Sequence, residues 1–419
     1  MPVQADKLPP TPSAGPQGTP GAPLALTLRV APGDVAALRE LLAHRSTGAP
    51  RTQRVLAVLA DSPPQAGQGP APAAALFRLR LRRTRWGLPF DGLQAEARLD
   101  EGLLRKDDTR WPLSELTLVL AAGERAALFD LALQLQAVLP LRLGDGRLTE
   151  GSWGLHRPAG AAQLPASEPP TDPEFALEAG YRLVLGPCLA HIHRHAAGVA
   201  QDARAEAVHQ LRIGLRRLMS AWRLFAQRIP PPRALQEEVA WLFDELGPAR
   251  DAQVLRDTTL PALAAAATGG NAPVAESDWT ALQAAVASSA EAAERRAAQA
   301  VDSVRCTRLL LGLGAWLAGS RWRNAMGEAA LRPLAAPWRP HAAAWLARLH
   351  RTLLHRGRGL PTAGPVACHR ARVAAKRLRY AAESLAPAAG LPQPTRYIGA
   401  LVALQAALGQ RQDAVVAAR

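Results

Sequence analysis

The sequence predicts a multi-domain chain: a small α+β lobe on an antiparallel sheet, then an all-α region. Three observations predict it. Between Leu76 and Trp86, arginine and apolar residues exchange at period two, as in a strand with two unlike faces. After a stretch at 158–173 rich in Pro, Ala, Ser, Glu and Asp, the apolar period lengthens to that of helices. Within that second part a basic helical segment occurs twice. It reads His209-x-x-Arg212-x-x-x-Arg216-Arg217-Leu218 and His369-x-x-Arg372-x-x-x-Lys376-Arg377-Leu378.

The elements follow in order. Residues 1–23, rich in Pro, Gly, Ala and Thr, predict a disordered tail. They lack a basic segment followed by an apolar one, so they do not read as a signal peptide. A strand is expected over Leu24–Val30. Pro32-Gly33-Asp34 opens a helix to about His44, with Asp34 at the N-cap. Arg54–Ala60 reads as a strand and 61–72 as a Pro/Gly/Gln loop. Strand Leu76–Trp86, a turn at 88–92 and strand Leu93–Leu99 come next. After Asp100-Glu101-Gly102 come the separate segments Leu103–Lys106 and Leu113–Leu120. Gly123 precedes a helix at 124–138. The lobe spans 24–157 and the linker 158–173. Helices are expected at 174–199, 203–228, 232–246, 249–266, 275–302, 304–319, 338–356, 365–386 and 396–417, in halves of about 174–300 and 304–419.

Composition narrows the function. A net charge of +15 and a pI near 11.1 favour an anionic partner: nucleic acid, a phosphate polymer or an acidic membrane surface. Arginine supplies nearly all of the positive charge, and its planar fork suits bidentate phosphate contact. Three scattered cysteines, Cys188, Cys306 and Cys368, form no disulfide framework and no zinc pair. That favours a reducing compartment and, with no apolar stretch long enough for a bilayer, a cytoplasmic location. Phosphate-loop, nucleophile-elbow and HExxH patterns are absent.

At 100° per residue, His209, Arg212, Arg216 and Arg223 share one stripe of a helix. Leu211, Leu215, Leu218, Trp222 and Phe225 fall opposite. Neither repeat carries an acidic residue across its basic stretch, 209–225 or 369–382. Exposed helices normally mix signs for i,i+4 pairing, so this pattern points to polyanion binding. A solvated basic face is the plainer alternative. His209 and His369 could contact phosphate, serve structurally or bind metal, although cationic neighbours repel metal ions. His191 and His195 have metal-like spacing without a carboxylate partner. Arg194 and His195 are further candidates for a phosphate surface, as is Arg223. Arg78, Arg80 and Arg82 share one strand face, a phosphate-facing wall or a plain exposed surface. Asp251 and Asp413 read as structural, and Trp222, Trp241, Trp316 and Trp345 as core.

Each basic helix is followed, at nearly the same offset, by Leu-Gly-x-x-x-Asp-Ala, at Leu246–Ala252 and Leu408–Ala414. This pair of segments resembles the CHAD domain, the conserved-histidine α-helical domain, over roughly 170–419. The resemblance implies two pseudo-symmetric four-helix bundles sharing a basic surface that binds inorganic polyphosphate. It carries over to His209, Arg212, Arg216, Arg217, His369, Arg372, Lys376, Arg377, Arg379 and Tyr380. Met219 stands where the second copy has Arg379. Residues 24–157 resemble a truncated CYTH domain, the triphosphate-tunnel fold. That family opens with Glu-x-Glu-x-Lys, where this chain has Pro23-Leu24-Ala25-Leu26-Thr27. The late acidic strand keeps Glu115 but has Thr117 and Val119 at its other acidic positions. A metal-assisted hydrolase needs those carboxylates. The expectation is a polyphosphate-binding protein without catalytic residues, metal or cofactor, associated with polyphosphate granules. The alternatives are a residual metal-dependent triphosphatase in the first lobe and a nucleic-acid-binding protein.

Overall fold

The computed structural model describes residues 25–60, 76–106, 108–144, 176–267, 275–360 and 364–417. The tail at 1–23, the loop at 61–72 and the linker at 158–173 lie outside them. The first lobe is an antiparallel sheet of β1 (Ala25–Arg29), β2 (Arg51–Ala60), β3 (Leu76–Phe90), β4 (Leu93–Lys106), β5 (Thr109–Ala122) and β6 (Arg142–Leu143). The strand order is β2-β3-β4-β5-β1-β6. Asp91 and Gly92 turn the β3–β4 hairpin with φ of 43° and 74°, the left-handed pair that a two-residue hairpin needs. Helices α1 (Val35–Arg45) and α2 (Arg125–Val138) cover one face. Between them and the sheet lie Leu28, Trp86, Leu99, Leu116, Leu38, Leu128 and Leu135. Asp34 holds the α1 N-cap position, but its side chain makes no capping bond; Pro32–Asp34 already turns as a short 3-10 helix.

One expectation is corrected. Asp100-Glu101-Gly102 does not separate two strands but lies in the middle of β4. Arg83 holds Asp100 from β3 through two bonds of 2.7 Å, and Arg39 of α1 holds Glu101. Gly102 is there for closeness: a Cβ would lie 1.9 Å from the Arg80 carbonyl oxygen. Arg78, Arg80 and Arg82 share one face, that of Trp86 and Leu88, and are exposed there, in keeping with the plainer of the two readings. Arg82 reaches Glu101, the partner of α1.

The helical region comprises α3 (Leu177–Asp202), α4 (Ala205–Phe225), α5 (Arg233–Glu245), α6 (Gly247–Val254), α7 (Leu260–Ala267), α8 (Glu276–Val301) and α9 (Val304–Ala318). Then come α10 (Glu328–Leu331), α11 (Trp338–Gly357), α12 (Pro365–Ala389) and α13 (Pro394–Ala417). The apolar stripe of α4 is buried throughout, from Leu211 to Phe225. One core runs from Leu177 on α3 to Leu401 on α13. Tyr181 sits at its centre, edge-on to Phe225 at 4.8 Å and Trp322 at 5.1 Å. Trp222 and Trp316 are buried there; Trp241 and Trp345 pack against it. The three cysteines form no disulfide and are buried.

The two regions are joined by packing. Leu311 and Ala315 of α9 belong to the sheet lobe's core, and Phe129 of α2 lies over Gly314. Gln136 donates to the Val304 carbonyl at 3.0 Å, and the Leu143 amide donates to Thr307 Oγ1 at 2.7 Å. Arg29 and Arg142 meet Asp302, and Arg321 meets Asp130. Among the described residues no helix is long and apolar enough to cross a membrane.

Candidate functional site

Helices α4 and α12 pack against each other, α4 backed by α3 and α12 by α11. Both have their apolar stripe in the core. At their seam Arg216 of α4 meets the field of Arg372, Lys376 and Arg379 of α12; Arg212, one turn before Arg216, lies against Phe243 of α5. Burial holds the Lys376 ammonium below its usual range, and Arg372, Arg216 and Arg379 add to the effect. Charges from both repeats therefore act on one another. The Arg212 guanidinium is also held low, first by burial and then by Arg216, against the opposing pull of Asp251 and Asp244. It donates to the Phe243 carbonyl at 2.7 Å and lies 4.1 Å from that ring's centre.

The Leu-Gly segments lie against these arginines in both repeats, at ordinary contact distance. A Cβ on Gly247 would lie 3.5 Å from Arg212 Nη1, and one on Gly409 would lie 3.6 Å from Arg372 Nη2. His209 is half-buried. Burial, Arg250, Arg216 and Arg212 hold its imidazole below the ordinary range, so it is neutral near pH 7. A polyanion that neutralises those arginines would raise it again. His369 is exposed. Asp251 acts on Arg212, as its structural reading requires; the side chain of Asp413 lies outside the described residues.

The remaining expected residues are placed differently. Successive residues of a helix point 100° apart, so Arg217 and Arg377 leave the stripe of Arg216 and Lys376. With Arg223 and Tyr380 they line a separate pocket, which Arg212, Arg216, Arg372 and Lys376 do not line. Arg217 reaches across from α4 to Glu383 at 3.1 Å, and Arg379, one turn before Glu383 on α12, shares that carboxylate at 3.1 Å. Arg194 and His195 lie on α3. His195 lies tilted against His191 with ring centres 4.5 Å apart, and burial, His191 and Arg194 push it down to about 4. His191 faces the Gln210 carbonyl at 3.0 Å.

Sequence reasoning missed Arg250, which adds to the field at His209, and Arg348 and Arg356 of α11. The signal was present: between Glu328 and Glu383 the chain has no acidic residue. It also missed a row across the open sheet face, Arg51–Arg85–Arg98–Thr117–Thr27 in direct register. Like charges directly opposite destabilise a sheet. Glu96 relieves Arg98, while Arg85 Nε is buried with no hydrogen-bond partner among the described residues.

Two comparisons bear on this site. The family model of the CHAD domain matches residues 183–419. The crystal structure of the CHAD domain from the plant Ricinus communis is similar at 36% identity with a TM-score of 0.50, over 62% of this chain and 82% of that one.

Proposed function

The chain belongs to the CHAD-domain family, and from that premise we propose that the α4–α12 seam binds inorganic polyphosphate. The observation that carries the reading is the convergence of Arg216 from one repeat with Arg372, Lys376 and Arg379 from the other. Crowded cations cost free energy in the empty protein, and a polyanion relieves that cost. Binding proceeds by charge neutralisation through Arg212, Arg216, Arg372, Lys376 and Arg379. His209 gains a proton as the anion arrives. A polymer spans both helices, so its second contact is intramolecular. Orthophosphate has no such advantage.

The matching Arg212–Gly247 and Arg372–Gly409 contacts support reading the helical region as two pseudo-symmetric bundles. The protein's role would be attachment to polyphosphate granules in the cytoplasm. The sheet lobe reads as a degenerate CYTH-like domain without catalysis. Ala25 pairs with Val119, so two positions aligned with metal-holding carboxylates adjoin but carry none, and Thr27, at the position of the family's lysine, pairs with Thr117. Malachite-green detection of phosphate release from triphosphate, with Mg²⁺ or Mn²⁺, tests that part; metal-dependent turnover would restore the triphosphatase reading.

The binding proposal is tested by competing long-chain polyphosphate against DNA and RNA at fixed salt. Polyphosphate should displace both, with an affinity that falls steeply as salt rises. Preferential retention of nucleic acid would favour the nucleic-acid reading instead.

A further inference from the structure

Beside the seam, where α3 and α11 flank α4 and α12, lies a cavity of about 200 Å³. Its chemistry differs from that of the polymer groove. The rim carries Arg217, Arg223, Arg348 and Arg377. Arg217 is neutralised by Glu383. Arg223, Arg348 and Arg377 have no carboxylate partner among the described residues, and burial, Arg223 and Arg356 hold Arg377 below its usual range. The wall beneath is mostly apolar, from Val184, Ala221, Leu224, Leu349 and Ala381. The hydroxyls of Ser220 and Ser384 already donate to the carbonyls of Arg216 and Tyr380, one turn back on their own helices. With the serines engaged, the charged donors that line the cavity are guanidinium groups, with Tyr380 beside them.

An inorganic phosphate would use the rim and leave the apolar wall wet. A plain hydrocarbon would use the wall and leave three guanidinium groups unmatched. A molecule that carries both parts uses both. We infer that this cavity is a second binding site, for a small organic phosphate: a phosphoryl group joined to one ring or a short alkyl chain. The phosphoryl group sits among Arg223, Arg348 and Arg377, and the apolar part lies on Leu224, Leu349 and Ala381. The site is separate from the seam: Arg223 and Arg377 lie on the repeated helices, but Arg348 comes from α11, and Arg212, Arg216, Arg372 and Lys376 do not line it.

Isothermal titration of the full chain with phenyl phosphate, orthophosphate and phenol tests it. Phenyl phosphate should bind at least tenfold more tightly than either fragment. Arg348→Ala and Arg223→Ala should each weaken phenyl phosphate at least fivefold, while Arg348→Ala changes long-chain polyphosphate affinity less than threefold. The paired change Arg212→Ala, Arg216→Ala should do the reverse. Phenyl phosphate binding no tighter than orthophosphate would overturn the inference. So would binding that survives both Arg348→Ala and Arg223→Ala in folded protein, or that is lost with Arg212 and Arg216. Loss of polyphosphate binding alone would leave this site standing and remove only the seam.

Discussion

Replacing Gly314 with alanine should loosen the joint between sheet lobe and helical region. The new Cβ would lie 2.2 Å from Phe129 Cε1 and 2.6 Å from its Cδ1 and Cζ. Phe129 is only 8% exposed and packs in a core that includes Leu311 and Ala315, so the ring has little room to retreat. Overpacking of this kind costs about 1–3 kcal/mol. Alanine's better helix propensity returns about 1 kcal/mol. The net loss should be about 0–2 kcal/mol on those two terms. Phe129→Ala should cost about 3–5 kcal/mol through the cavity it opens. In the double variant the methyl enters that cavity, so the losses should fall short of their sum by about 1–2 kcal/mol. Urea unfolding followed by circular dichroism measures all three. A Gly314→Ala protein stabilised by about 1 kcal/mol, as propensity alone gives, would refute the reasoning. A cycle additive to within about 0.5 kcal/mol would refute it equally.

Three further outcomes concern charge and pH. Glu178 is 7% exposed and accepts from Trp322 Nε1 at 2.9 Å and from Arg323 at 2.7 and 2.6 Å, which hold its carboxyl below the usual range. Glu178→Gln should cost about 1–3 kcal/mol at pH 7. The wild-type advantage should fade as pH falls through the depressed folded value, so denaturant midpoints of the two proteins converge in acid. His193 and His195 are each held down to about 4, chiefly by burial, so they favour the folded state in neutral form. Their contribution is complete above the ordinary histidine range near pH 6.5 and is lost as pH falls from there towards 4; His193→Asn with His195→Asn should flatten that slope in unfolding midpoints. Polyphosphate affinity should rise between pH 7.5 and 5.5 as bound His209 takes up a proton, and His209→Gln should reduce the rise, read by titration at fixed salt.

Much of this architecture was legible because periodicity reports burial directly. Alternation placed β3, and the stripe from Leu211 to Phe225 placed the buried face of α4. The misreading at Asp100–Gly102 has a physical cause. Turn-forming residues stand in a strand interior because Arg83 and Arg39 neutralise the acids and Gly102 admits a neighbouring backbone. The helical wheel gave the Arg212–Arg216 stripe, but pairing between helices is a tertiary property. Sequence alone therefore grouped Arg217 and Arg377 with Arg216 and Lys376, although they line a different cavity. The row Arg51–Arg85–Arg98 was hidden for the same reason, since register across three strands appears in no single segment.

The account's central claim is that two helices make one polymer site, and affinity measured across paired variants tests it most directly. Long-chain polyphosphate and orthophosphate are titrated into the wild type, Arg212→Ala with Arg216→Ala, Arg372→Ala with Lys376→Ala, and all four changes together. A charge-assisted contact is worth about 1.5–3 kcal/mol when desolvated and less when exposed. Each pair should therefore weaken polymer binding at least tenfold, with the fourfold variant weaker still and its circular dichroism unchanged. Leu215→Asp, at a fully buried position, should unfold the bundle and serves as the control. Equal wild-type affinity for orthophosphate and polymer, or a folded fourfold variant with unchanged polymer affinity, would contradict the claim.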